Sequence, residues 1–150
     1  MLRSILIGLV AGQRGMTPLA VVAGAARRGA LPADAPLGEL MATPLIATGA
    51  VAMAAAEMAG DKMKTAPNRT IVPGLLVRAV TAAYAGAALA PREERTRAAL
   101  AASATAVASS FVGLALRLRA MERWGQTATG AVEDALVLGG GLAVANAGRR

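Results

Sequence analysis

Five apolar runs, separated by short segments that hold most of the arginine and lysine, limit what this chain can fold into. They are Leu2 to Ala26, which is interrupted once, then Met41 to Gly60, Gly74 to Ala90, Ala98 to about Leu118, and Thr127 to Gly148. A soluble domain covers such runs with polar surface and fills its core with aromatic rings. Here hydrophobic residues make up 55% of the 150 residues but aromatics only 2%, and the apolar mass is Ala, Val, Leu and Gly. The mean hydropathy of +0.51 offers apolar surface to something other than water. A helix crosses about 30 Å of hydrocarbon with roughly 20 residues. The expected fold is therefore all-α: a single domain over residues 1–150, a polytopic membrane helical bundle of about five hydrophobic runs, the first broken into two half-helices.

The break is the stretch GQRGMTP, Gly12 to Pro18. Leu2 to Gly12 and Thr17 to Ala26 are each too short to span hydrocarbon, whereas together they are long enough. Thr17 can cap a helix that starts at Pro18, because proline at the first helical position gives up no needed hydrogen bond. Gly12 and Gly15 allow an irregular backbone, which is tolerated at membrane depth only where protein or a wet cavity surrounds it. Arg14 then lies at a join between two half-helices, and a re-entrant hairpin is the other arrangement of the same pieces. The opening segment also has the charged start and short apolar stretch of a secretory signal. Gln13 and Arg14 cut that stretch and the downstream chain is equally apolar, so it reads as an uncleaved first membrane element.

In the second run Thr43 and Pro44 read as a cap and first turn, and Lys62 and Lys64 complement the helix end or snorkel. Arg78, early in the third run, reads as snorkelling. Trp124 reads as an interfacial aromatic. Gly8 and Gly12 form a GxxxG pair, and Gly139, Gly140 and Gly141 lie inside the last run. Close backbone contact through such small residues drives helix association in lipid, which predicts a tight bundle and is compatible with a homo-oligomer. Lys and Arg divide seven and seven over the two sides of a five-span topology, or eight and six if the first run is a hairpin, so the positive-inside rule sets no orientation.

The formal net charge of +7 comes from small groups of basic residues between apolar runs, a pattern that suits anionic headgroups and argues against nucleic acid. The chain has no cysteine and no histidine. Disulfides, a zinc or haem site and a histidine-activated nucleophile are thereby disfavoured, and the chain reads as a non-enzyme with no metal and no cofactor. Gly139 to Gly141 lack the Lys-Ser/Thr and preceding strand of a phosphate loop. Met53, Met58 and Met63 form no single stripe and read as filling.

Charges within the runs are the informative residues, since each costs a few kcal/mol in hydrocarbon. Arg14, Glu57, Asp61, Lys62, Glu133 and Asp134 are the candidate substrate- or ion-binding residues, with Gly12, Gly15, Thr17 and Pro18 as the helix break. Glu57 and Asp61 are four apart and share a helix face. In one reading Arg14 meets carboxylates from other helices along a path for a proton, ion or small solute. In the other, Arg14 neutralises Glu57 or Glu133 and locks the bundle, while Asp61 and Asp134 sit among headgroups.

Taken together, GQRGMTP, AEMAGDK at Ala56 to Lys62, PNRT at Pro67 to Thr70 and EDALVLGGG at Glu133 to Gly141 resemble the small bacterial integral-membrane proteins catalogued as domain of unknown function 4126. The resemblance covers nearly the whole chain. It implies a compact, multi-pass helical protein of the bacterial inner membrane and supplies no catalytic residues. Two functional expectations follow: a small transporter or channel-like protein with a polar intramembrane site, or an accessory protein that packs through Gly and Ala faces. The first expects a water-accessible cavity reaching Arg14; the second expects a dry, paired cluster and an exposed small-residue face.

Overall fold

The computed structural model describes residues 1–60 and 70–147, and every regular element among them is helical. The order is α1 (Leu2–Gln13), α2 (Thr17–Arg27), α3 (Gly38–Ala42), α4 (Pro44–Gly60), α5 (Val72–Ala88), a 3-10 turn (Arg92–Glu94) and α6 (Arg95–Asn146). The break in the first run is present: α1 ends at Gln13, Arg14 is extended (φ −140°, ψ 107°), and α2 starts at Thr17.

The two half-helices do not lie end to end. The amino terminus of the chain is 3.7 Å from Glu94, and Asp34, beyond α2, accepts from Arg95 at 2.7 Å. Residues 1 and 34 are thus anchored to neighbouring residues at one end of the bundle. Stacked coaxially, residues 2–27 would separate those anchors by about 39 Å. The first run is therefore a helical hairpin with Arg14 at its tip, rather than one long broken helix.

A second reversal lies inside α6. Arg117 donates to Glu133 at 3.3 Å, although sixteen residues of straight helix would hold them about 24 Å apart. Gly125, midway between them, has φ 78° and ψ 168°, a conformation open only to glycine without strain. Contacts with α1 fix the directions of the two limbs. Ser109 and Ser110 reach the carbonyls of Gly8 and Gly12, so the first limb (95–124) runs parallel to α1. Arg3 reaches the Val144 carbonyl while Arg14 reaches Asp134, so the second limb (126–146) runs antiparallel to it.

Small residues make these approaches possible. A Cβ on Gly86 would lie 2.6 Å from the Ala98 carbonyl oxygen, and one on Gly8 would lie 2.5 Å from that of Ala102. The bundle is apolar on both sides of its surface but with different side chains. Its buried apolar residues are mostly alanines, such as Ala82, Ala85, Ala98, Ala102 and Ala106, whereas Leu45, Leu76, Leu100, Phe111, Leu136 and Leu142 point outward. Burying the larger side chains would be the normal outcome in water, because each contributes about 1.5–3 kcal/mol.

Among the described residues, the stretch Arg92–Asn146 is long and apolar enough to cross a membrane by length and composition, with a peak mean hydropathy of 1.8. Leu2–Gln13, Pro44–Gly60 and Val72–Ala88 are shorter apolar helices. Thr43 and Pro44 stand at the start of α4 as expected, with the Thr43 carbonyl accepting from Ala47 at 3.0 Å, while the Thr43 hydroxyl donates back to the Leu40 carbonyl at 2.8 Å.

The packing predicts a contrast between glycines. Gly86→Ala forces α5 and α6 apart and should destabilise the fold by about 1–3 kcal/mol, the usual cost of overpacking. Gly49→Ala, with open space around the added Cβ, should change stability by less than about 0.5 kcal/mol. Unfolding curves in mixed detergent would measure both.

Candidate functional site

The largest fully buried side chain of the described chain is an arginine. Arg14 has 0% exposure, and its Nε and one terminal nitrogen donate to Asp134 Oδ1 at 2.9 and 2.7 Å. Its other terminal nitrogen lies 3.8 Å from Glu133 Oε1 and 3.4 Å from the Gln13 carbonyl. Glu133 in turn accepts from Arg117. Among the described residues, two arginines and two carboxylates therefore form one chain across the hairpin tip and both limbs of α6. Desolvating a single ion costs several kcal/mol, and a charge-assisted, multiply hydrogen-bonded partner offsets that cost.

Glu57 does a different job. Its two carboxylate oxygens accept from the backbone N–H groups of Gly15 and Met16, both at 2.8 Å, immediately ahead of α2. These groups have no intrahelical acceptor, and the positive end of the helix dipole favours an anion there. Arg78 approaches the same carboxylate at 3.8 Å. Gly15 leaves room for this meeting: a Cβ would stand 3.2 Å from Arg78 Cγ and 3.5 Å from Glu57 Oε1.

The structure thus gathers Arg14, Glu57, Glu133 and Asp134 around the hairpin tip, while Asp61 and Lys62 lie outside the described residues, as do Lys64, Met63 and most of PNRT. Four expectations change. Among the described residues Asp134 is the carboxylate hydrogen-bonded to Arg14 and is buried, not placed among headgroups, because the Gly125 reversal carries it about 14 Å along the second limb. Glu57 binds the hairpin backbone and Arg78 in addition to any wider role, and is not seen hydrogen-bonded to Arg14. Arg78 is 6% exposed and does not snorkel. Thr17 provides no cap: α2 has no side-chain cap from its own N-terminus, and the Thr17 hydroxyl is buried without a partner. Pro18 stands in the first turn of α2, and Gly12 packs on Ala106 and Ser109.

Arg117 and Gln13 were missed as site residues. Arg117 lies eight residues before Gly125 and Glu133 eight residues after it, a signal legible once a reversal at Gly125 is allowed. Gln13 donates to the Ser109 carbonyl at 3.0 Å.

Both residues border a cleft of about 440 Å³ between α1 and the two limbs of α6. Leu6, Leu9, Leu116 and Leu136 wall it, and Gln13, Arg117 and Glu133 are polar or charged residues of its lining. Arg14 is sealed behind Glu133 and does not border it. The arrangement can hold an apolar body against a small hydrogen-bonding patch, the usual composition of a ligand site between helices.

No protein-family model matches the chain, and neither a curated protein nor a solved structure aligns with it significantly. The resemblance to domain of unknown function 4126 rests on the four quoted motifs.

A double-substitution cycle tests the lock. Asp134→Leu alone should cost about 3–5 kcal/mol by leaving a buried guanidinium without its main partner, and Arg14→Met alone a similar amount. The double variant should recover most of that loss. Detergent unfolding of the four proteins gives the coupling; simple additivity would show that the two residues act independently.

Proposed function

We propose that this chain is a multi-pass membrane protein of transporter-like build, in which the α1–α2 hairpin enters the bilayer and returns, and the cleft beside its tip is the polar binding site. One observation carries the reading: a buried, ion-paired arginine at the tip of a hairpin, one carboxylate away from a cleft that opens on the outward apolar face. Irregular backbone at membrane depth is tolerated where protein encloses it, and half-helix ends of this kind are used by transporters to bind polar solutes. Support for a bilayer comes from the outward Leu, Val and Phe side chains and from Trp124, exposed beside the Gly125 reversal as an interfacial aromatic would be.

In this reading Arg14 and Asp134 hold the hairpin and Glu57 pins its backbone, so neither pair handles the solute. Glu133, Arg117 and Gln13 meet it. By the resemblance stated above, the bacterial inner membrane is the proposed location, and lipid is the first partner.

The accessory reading also has a specific observation. Arg14 is dry and paired, as that reading expects, and α4 turns Gly49, Ala52, Ala55 and Ala56 outward as a small-residue face suited to close helix contact. Glu133→Gln separates the two. In a transporter-like site the variant loses solute binding or flux under conditions where it is still folded; in an accessory protein its only defect is lost stability.

Topology is tested by single cysteines, because the native chain has none. With an impermeant thiol reagent, cysteines at Leu2 and Asp34 should label from the same side and one at Gln126 from the other. Labelling of Leu2 and Asp34 positions from opposite sides would defeat the re-entrant hairpin.

A further inference from the structure

The hairpin changes how basic residues are shared between the two ends of the bundle. A first run that spanned the bilayer would place Arg3 on one side and Arg27 and Arg28 on the other. Folded back, it carries all three at the end that holds residue 1, and its tip brings only the buried, paired Arg14. The first membrane element usually dominates orientation, and the flank richer in Lys and Arg stays in the cytoplasm.

The rest of the chain points the same way. Arg92, Arg95 and Arg97 lie at the residue-1 end, where Glu94 meets the amino terminus and Asp34 meets Arg95. At the other end Glu133 draws Arg117 inside, and residues 124–130, around the Gly125 reversal, carry no charge. Arg119 and Arg123 are the basic residues left there among the described residues. The remaining sequence adds Lys62, Lys64 and Arg69 between α4 and α5, and Arg149 and Arg150 after α6, which divides the total eight and five instead of eight and six.

The residue-1 end also has the make-up of a headgroup contact. Arg27, Arg28, Arg92 and Arg97 are exposed, and none of the four meets a carboxylate among the described residues. Asp34 and Glu94 are already engaged, which leaves Glu39 and Glu93 as the acidic residues there without a salt bridge among the described residues. Leu37 and Leu40, in the connection from α2 to α4, are 61% and 48% exposed. An anionic leaflet attracts juxtamembrane arginines, and exposed leucines gain by entering the boundary of its apolar layer.

We propose that Arg27, Arg28, Arg92 and Arg97 form a surface for anionic phospholipid headgroups, which holds the residue-1 end of the bundle at the cytoplasmic leaflet. The inference rests on the membrane reading above and assigns its absolute orientation.

The test places single cysteines at Ala33 and Thr127, both exposed, in the full chain expressed in a bacterial host. An impermeant thiol reagent should label Thr127→Cys in intact spheroplasts and Ala33→Cys only in inverted vesicles. Replacing the four arginines by glutamine should raise Ala33→Cys labelling in spheroplasts at least about fivefold, whereas Arg119→Gln with Arg123→Gln should not. In reconstituted vesicles, a fluorophore on Ala33→Cys should be quenched about twofold more by spin-labelled phosphatidylglycerol than by equally labelled phosphatidylcholine, and the glutamine variant should lose that excess. Outside labelling of Ala33→Cys with Thr127→Cys protected, or labelling of both positions in both preparations, would overturn the orientation. Equal quenching by the two lipids, or a glutamine variant that keeps the original orientation, would overturn the arginine surface. These results leave the membrane reading standing, whereas labelling of both positions from one and the same side would remove that reading itself.

Discussion

A guanidinium with no exposed surface has to be neutralised where it lies, and most of the geometry here serves that need. Arg14 stands between two short helices, and its partner is on α6. To reach Asp134 and approach Glu133, the tip of the α1–α2 hairpin must sit between the limbs of α6. The limbs must then be antiparallel, which requires the reversal at Gly125. Glu57 and Arg78 close the other side of the tip through the Gly15 and Met16 amides. The ion pair need not be the largest stabilising contribution. It is the contact that specifies register, since sliding any one element by a turn would leave a buried charge without its partner.

Packing follows a related economy. Alanine and glycine let α1, α5 and α6 approach until serine hydroxyls on α6 bond the carbonyls of α1. Larger apolar side chains are left for the outside. Such an arrangement wastes hydrophobic burial in water and loses little in hydrocarbon, where association depends on close contact and hydrogen bonding.

The all-helical class and the break at Arg14 were legible in the sequence because they depend on run length and on Gly and Pro placement. That Arg14, Glu57, Glu133 and Asp134 are the informative charges was legible from the cost of a charge within an apolar run; the burial of Asp134 was not, because it depends on the reversal at Gly125. The direction of the chain after the break was not. Leu2 to Gly12 and Thr17 to Ala26 have the same composition whether coaxial or folded back, and what decides is a pair of distant end contacts, Met1 with Glu94 and Asp34 with Arg95. Arg78 read as snorkelling because a position near the end of an apolar run suggests an escape to the interface, but a carboxylate on α4 holds it inside. Arg117 is held inside by Glu133 on the other limb of α6. Thr17 looked like a cap because local sequence favours local partners, whereas the cap of α2 comes from Glu57, some forty residues away.

The central claim is that the first apolar run doubles back. Its most direct measurement is the distance between spin labels at Leu2 and Asp34 in the lipid-reconstituted protein, by pulsed electron resonance. The hairpin predicts a single short distribution, under about 20 Å, because both ends meet neighbouring residues. A distribution centred near 40 Å, the length of α1 and α2 laid end to end, would contradict it.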